Sequence, residues 1–328
     1  MGDIVLTNKC NLKCSYCFAN EIKNSETSEF DIINFKKAVD FIKTGKNERL
    51  GIVGGEPTIH PNFREFIELL NNDNQIFNYI LFTNGIEIAK YIDVLKSDKV
   101  NILINCNSPE ITGNLYNKLE DSIRVLAKEK KDKLALGTNI YSADMDYSYI
   151  FDLLKLAKSN ILRFSVSISN ADKINSKNGL ECYEKYIPIL HNFYKDCLKN
   201  EIIPQFDCNG IPYCLINTEM KKTLLRINNL QKKYNIHDKI MPEPCTPMVN
   251  ILPDLTAVRS ICYPYLKSVN ISDFESIDVL KGYFYKEIDS NFNSLFLTED
   301  CKTCNSRREG RCFVCPTFTI NEFLKLKK

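Results

Sequence analysis

The run DIVLTNKCNLKCSYC, residues 3–17, decides how the rest of the chain is read. Its first third is short, apolar and β-branched, the pattern of a strand over 3–7. The loop that follows carries Cys10, Cys14 and Cys17. Three thiols so close can point at one centre, and Cys-x3-Cys-x2-Cys is too compact for three separate structural roles. One reading is zinc with a distant fourth ligand. The other is an iron–sulfur cluster: four irons normally take four cysteines, so three leave one iron open to an exogenous ligand.

Working outward, short apolar runs recur at 50–53, 79–83, 100–105, 134–140 and 161–168, and each reads as a strand. Helical periodicity follows them at 30–43, 63–71, 88–97, 116–130 and 149–159, with one more helix at 181–200. A strand and then a helix, six times over, predicts an α/β fold with a parallel sheet: a partial (β/α)6 TIM-like barrel over 1–200. Past residue 200 prolines punctuate the chain and the cysteines crowd together, so 201–244 reads as a bridging segment and 245–328 as a small cysteine-rich domain. The segment DCKTCNSRREGRCFVCP, residues 300–316, has too little apolar surface to fold without a metal.

Composition narrows the class. With 44 % hydrophobic and 26 % charged residues the chain is an ordinary globular sequence, which excludes wholesale disorder. The net charge of +2 gives no footprint for a polyanion, so no nucleic-acid partner is expected. No apolar run approaches the ~20 residues of a membrane span, and the start MGDIVLTNKC has no secretory pattern. A cytoplasmic chain is therefore expected. Its 14 cysteines then read as metal ligands or core residues rather than disulfides.

Cys10, Cys14 and Cys17, with Tyr16 before the last, resemble the motif of the radical S-adenosylmethionine (radical SAM) superfamily. The resemblance implies a [4Fe–4S] cluster whose open iron is chelated by S-adenosylmethionine, and reductive cleavage of that cofactor to methionine and a 5′-deoxyadenosyl radical. Two further segments are similar to motifs of the family. Gly54-Gly55-Glu56-Pro57 follows the second strand, and glycines there allow close backbone approach while a carboxylate suits the cofactor's ammonium group. Thr83-Asn84-Gly85 follows the third strand. All three lie at the C-terminal ends of consecutive strands, the face on which barrels build their sites. By the same resemblance Asn105 and Asn139, ending the fourth and fifth strands, would contact the cofactor ribose, and Arg163, opening the sixth, its carboxylate. Each has a plainer reading as a turn residue or a surface ion pair.

Cys106, Cys182 and Cys197 fall in strand or helix context and read as small core residues. Eight more follow residue 200. Cys245, Cys262, Cys301, Cys304, Cys312 and Cys315 resemble the ligands of SPASM or Twitch extensions, which hold one or two auxiliary [4Fe–4S] clusters; zinc is the other reading of the Cys-x2-Cys pairs. Leu255 stands where that family usually has glycine, and no cysteine follows Cys315, so a seventh ligand is missing. Cys208 and Cys214 are left as cluster ligands, turn residues or hydrogen-atom donors to a substrate radical.

The resemblance implies an enzyme that modifies a ribosomally made peptide or a protein side chain, drawing electrons from a reductant such as ferredoxin or flavodoxin. The sequence precedes Cys10 by too few residues for a leader-binding domain, so leader recognition is expected elsewhere. Two alternatives stay open: a radical SAM enzyme on a small molecule, like the molybdenum-cofactor cyclase, and a zinc-stabilised binding protein without turnover.

Overall fold

Among the described residues ten strands run in chain order as β1 (Gly2–Val5), β2 (Leu50–Val53), β3 (Tyr79–Thr83), β4 (Val100–Asn105), β5 (Leu134–Ile140), β6 (Ile161–Val166), β7 (Ile203–Cys208), β8 (Val249–Ile251), β9 (Thr256–Val258) and β10 (Ser268–Asn270). The computed structural model describes residues 1–17, 29–46, 49–168, 179–208, 211–236, 248–263, 266–292, 298–310 and 312. The fold class is the expected one, mixed α/β with parallel strands joined by helices. Two units divide the chain, Met1–Ala135 with Pro247–Asn291 and Leu136–Thr246 with Phe292–Lys328.

In the first unit the strand order is β10-β9-β8-β1-β2-β3-β4. β1 pairs in parallel on both sides, with Ile4 opposite Ile52 of β2 and Ile251 of β8. All four residues of β1 are buried, as a parallel strand covered on both faces requires. Helix Ile32–Lys43 returns the chain from β1 to β2. It starts at Asp31, whose carboxylate accepts from the Ile33 and Asn34 N–H groups at 2.8 Å each. Its buried face brings Phe35 onto Phe66 of helix Phe63–Asn72, ring centroids 4.3 Å apart. Each such buried ring contributes roughly 1.5–3 kcal/mol. The sequence pattern did not foresee β8, a three-residue strand beside β1.

In the second unit β5, β6 and β7 run parallel in that order. Phe164 of β6 packs against Phe193 and Phe206, at centroid distances of 5.0 and 4.7 Å. The helix expected over 181–200 is broken into Gly179–Glu184 and Ile187–Lys199. Pro188 sits in the first turn of the second piece, where its missing N–H removes no intrahelical bond. After β7 comes the 16-residue helix Thr218–Lys233, started by the Asn217 side chain. Cys301 stands on the short turn Glu299–Lys302, and Cys304 immediately precedes a second, Asn305–Arg308. Among the described residues no helix is long and apolar enough to cross a membrane.

Candidate functional site

The loop after β1 is tied down on every side, which fixes where its thiols stand. The Leu6 N–H donates to the Val53 carbonyl of β2, and Thr7 bridges to Glu29. Lys9 pairs with Glu29 at 2.9 Å. Cys10, Cys14 and Cys17 are all half-buried. The Leu12 N–H points at the Cys10 sulfur at 3.4 Å, the Cys14 thiol lies 3.4 Å from Asn107 Oδ1, and the Cys17 N–H donates to the Cys14 carbonyl. Cys17 packs against Val5, Val258 and Ile261, so the β8–β9 hairpin forms one wall of the loop.

The glycines of the second motif bring two stretches of backbone together. The Gly55 N–H donates to the Thr7 carbonyl at 2.7 Å and the Glu56 N–H to the Lys9 carbonyl at 2.9 Å. A Cβ on Gly55 would stand 2.2 Å from the Lys9 oxygen, and one on Gly54, whose φ is +159°, 2.6 Å from the Thr7 oxygen. No larger residue fits against the cysteine loop.

Glu56 is only 1 % exposed. Its Oε1 accepts from the Thr58 N–H (3.1 Å), the Thr58 hydroxyl (2.5 Å) and the Thr83 hydroxyl (2.6 Å), and its Oε2 from the Asn84 N–H (2.7 Å). The sequence aims this carboxylate at a cofactor ammonium; in the structure its lone pairs meet protein donors that join the second motif to the third. Burial pushes the Glu56 carboxyl up, and the hydrogen bonds from Asn84, Thr58 and Thr83 pull against that shift. Pro57 is buried at the start of the short turn Pro57–Ile59, which Glu56 caps. The network then returns to the cysteines, because the Asn84 amide donates to Asn11 Oδ1 at 2.7 Å.

Two members of this network were not singled out from the sequence. Asn11 lies inside the Cys-x3-Cys spacing, where any residue is allowed. Asn107 stands two residues beyond Asn105, and its Oδ1 accepts from the Tyr16 hydroxyl as well as facing Cys14. Asn105 itself gives its carbonyl to the Asn107 amide. Asn139 accepts from the Ser167 hydroxyl at 3.0 Å, and Arg163 forms an ion pair with Asp207 across β6 and β7.

The later cysteines are spread over both units. Cys262 is half-buried in the first, its N–H on the Ser260 hydroxyl at 3.1 Å. Cys208 and Cys214 are exposed, and Cys301, Cys304 and Cys312 half-buried, in the second. Cys245 and Cys315 lie outside the described residues. Cys106, Cys182 and Cys197 are buried, as expected of core residues.

The donor chemistry at residues 10–17 fits an iron–sulfur cluster. Among the described residues no three Cys, His, Asp or Glu side chains close around a single ion. A cubane asks for a different arrangement, thiolates spread over separate irons, and amide hydrogens aimed at sulfur, as at Cys10, help set its potential.

Fold and loop together define a parallel α/β scaffold with three thiols at the C-terminal end of its first strand. A model of the radical SAM superfamily matches residues 4–141. A Methanocaldococcus jannaschii protein named "putative glycyl-radical enzyme activating enzyme" is 33 % identical over 202 residues, which is 57 % of this chain and 78 % of that protein. The chain belongs to the radical SAM superfamily. It is also 32 % identical over 151 residues to a GTP 3′,8-cyclase of Alkaliphilus oremlandii, 41 % of this chain and 47 % of the cyclase. The match spans about half the length of such curated cyclases. Among solved structures, Streptococcus suis SuiB bound to S-adenosylmethionine is similar at a TM-score of 0.61 and 14 % identity, over 93 % of this chain and 70 % of SuiB.

Proposed function

We propose that this radical SAM enzyme modifies a side chain of a ribosomally made peptide or protein, forming a thioether or carbon–carbon crosslink, epimerising a residue or oxidising it. The observation that supports the reading is the extent of two likenesses. Sequence matches to GTP 3′,8-cyclases cover 31 % to 58 % of the chain, whereas the fold of SuiB, a protein solved with its precursor peptide SuiA, follows 92 % of it. A cytoplasmic enzyme fed by ferredoxin or flavodoxin fits this chemistry.

Cys10, Cys14 and Cys17 would hold the [4Fe–4S] cluster, which supplies the single electron that breaks the sulfonium bond of S-adenosylmethionine and so frees methionine and a carbon radical that takes hydrogen from the substrate. The chain's own residues do the positioning. Gly54 and Gly55 would present backbone to the cofactor, and Glu56, Pro57, Thr83 and Asn84 hold that backbone in place. Tyr16, Asn105, Asn139 and Arg163 complete the proposed cofactor contacts. Cys245, Cys262, Cys301, Cys304, Cys312 and Cys315 are the proposed pool of auxiliary-cluster ligands, in a C-terminal Fe–S domain.

A second reading, a small-molecule cyclase, is favoured by the 32 % identity to GTP 3′,8-cyclase. Anaerobically reconstituted protein given dithionite and S-adenosylmethionine should release 5′-deoxyadenosine. Deuterated peptide encoded beside the gene should pass its label into that product and change mass. A cyclised nucleotide from GTP, with no label transfer from peptide, would move the assignment to the second reading.

A further inference from the structure

Asn107 stands just past the end of β4 and is 3 % exposed. Its amide meets three groups. The Nδ2 donates to the Asn105 carbonyl at 3.2 Å, while the Oδ1 accepts from the Tyr16 hydroxyl and lies 3.4 Å from the Cys14 sulfur. Tyr16 and Cys14 are 91 and 93 positions away along the chain, so one buried oxygen joins the end of β4 to the cysteine loop.

The contact with Asn105 settles which way the amide points. A carbonyl oxygen can only accept, so the NH2 faces Asn105 and the oxygen faces the loop. The Tyr16 hydroxyl then serves as donor to that oxygen. Turning the amide over would set Oδ1 against the Asn105 carbonyl and give up both bonds, about 0.5–1.5 kcal/mol each. Asn105 and Tyr16 together therefore latch the amide.

An oxygen so held acts differently on Cys14 with and without iron. A protonated thiol can donate to it. Once iron has replaced the proton, the sulfur has nothing to donate, and the negative end of the amide dipole faces it at 3.4 Å. Burial keeps water from screening that contact. A donor aimed at a cluster sulfur stabilises the added electron; an oxygen aimed at one does the reverse. Cys10 meets the first kind of partner, the Leu12 N–H at 3.4 Å, and Cys14 meets the second.

We propose that Asn107 is a positioning residue whose amide oxygen, latched by Asn105 and Tyr16, faces the Cys14 thiolate and keeps the cluster of this loop strongly reducing. A low potential suits a site that must break a sulfonium bond with one electron. The role rests on the cluster assignment proposed above and holds whichever substrate the enzyme modifies. Tyr16 gains a part in it through its hydroxyl, which a phenylalanine at the same place would lack.

The test is a redox titration of the full chain, reconstituted anaerobically with iron and sulfide and followed by EPR without S-adenosylmethionine. The signal to follow is the one that S-adenosylmethionine perturbs in a parallel sample, which separates this cluster from any other. Asn107→Ala removes the oxygen, so at the parent's midpoint the ratio of reduced to oxidised cluster should rise on the order of tenfold, roughly 59 mV for one electron. Tyr16→Phe opens the latch, lets the NH2 turn toward the sulfur and should raise the midpoint as well. Asn107→Asp keeps an acceptor for Tyr16 and adds a full charge beside Cys14, so its midpoint should fall. Where the Ala variant loads less iron than the parent, the sign of the shift in the Asp variant, of the same size, decides. Midpoints unmoved in both Asn107 variants, or lowered in Asn107→Ala, would overturn the role of Asn107 and leave the cluster in place. A signal sensitive to S-adenosylmethionine that survives replacement of Cys10, Cys14 and Cys17 by Ala would overturn the cluster assignment itself.

Discussion

At the scale of single residues, two positions carry more than their motifs suggest. Leu255 has φ +66° in the turn between β8 and β9. The left-handed region costs a branched side chain about 1–2 kcal/mol, and only part of that returns as lower unfolded-state entropy than glycine would have. Leu255→Gly should therefore raise stability by up to about 1 kcal/mol, read as a higher midpoint in urea denaturation. A lowered midpoint would mean that the leucine packing outweighs the backbone strain. The residue that looked like a departure from a glycine pattern thus still adopts the glycine conformation. Glu56 is the second position. Glu56→Gln turns an amide NH2 toward one of the donors now on the carboxylate, at a cost of about 1–3 kcal/mol. If Glu56 positions Gly54 and Gly55, the variant should load as much iron as the parent but need more S-adenosylmethionine to perturb the EPR signal of the reduced cluster. Unaltered cofactor affinity would confine Glu56 to holding the fold.

At the scale of elements, the short turn Pro57–Ile59 and helix Phe63–Asn72 meet at His60, which is 2 % exposed and lies 5.0 Å from the Phe66 ring. Its Nδ1 accepts from the Asn62 N–H at 3.0 Å, so the neutral ring is the one the site holds. Burial lowers its pKa below 6.5; the Glu29 carboxylate and the Phe30 carbonyl oppose that shift and Lys9 adds to it. A depressed pKa means the unfolded chain binds the proton first, so this contribution is complete above pH 6.5 and is lost as pH falls through the folded value. Between those two pH values the loss approaches about 1.4 kcal/mol per pH unit. His191 is also depressed by burial, so the measurement is the difference between parent and His60→Gln, followed by urea denaturation from pH 7.5 to 5. The parent should lose stability faster than the variant; parallel curves would show that His60 titrates normally. The elements around this junction were legible because β2, β3, β4 and β5 are apolar runs closed by turn residues, and their ends fall where the pattern puts them. Helix Thr218–Lys233 was not legible. Its buried face is Met220, Thr223, Ile227 and Gln231, two of them polar, so the apolar period is faint. β8 was missed for another reason: three residues are too few to show a period, and its partner β1 lies about 250 positions away.

At the scale of the whole chain, the 14 cysteines that set it apart now differ in their surroundings as well as in their spacing. The three motifs could be read from the sequence because their roles are local, each on the loop after one strand. The bonds that join them, Glu56 to Asn84 and Asn84 to Asn11, run between distant segments and needed the fold. The same contrast separates the thiols, and alkylation can count them. Cys106, Cys182 and Cys197 are at most 1 % exposed, so a reagent has no access to them, and burial also raises the Cys197 thiol well above its usual value. Cys208 and Cys214 are exposed, and Cys10, Cys14 and Cys17 half-exposed. Native metal-free chain treated briefly with iodoacetamide and mapped by mass spectrometry should carry label at Cys208, Cys214 and the three loop thiols and none at the buried three. Loading with iron and sulfide before the alkylation should remove Cys10, Cys14 and Cys17 from the labelled set, because a thiolate bound to iron is no longer a free nucleophile. Cys208 should stay labelled and so report that the chain remains accessible. Loop thiols that alkylate equally well with and without iron would place the cluster elsewhere, whatever the motif suggests.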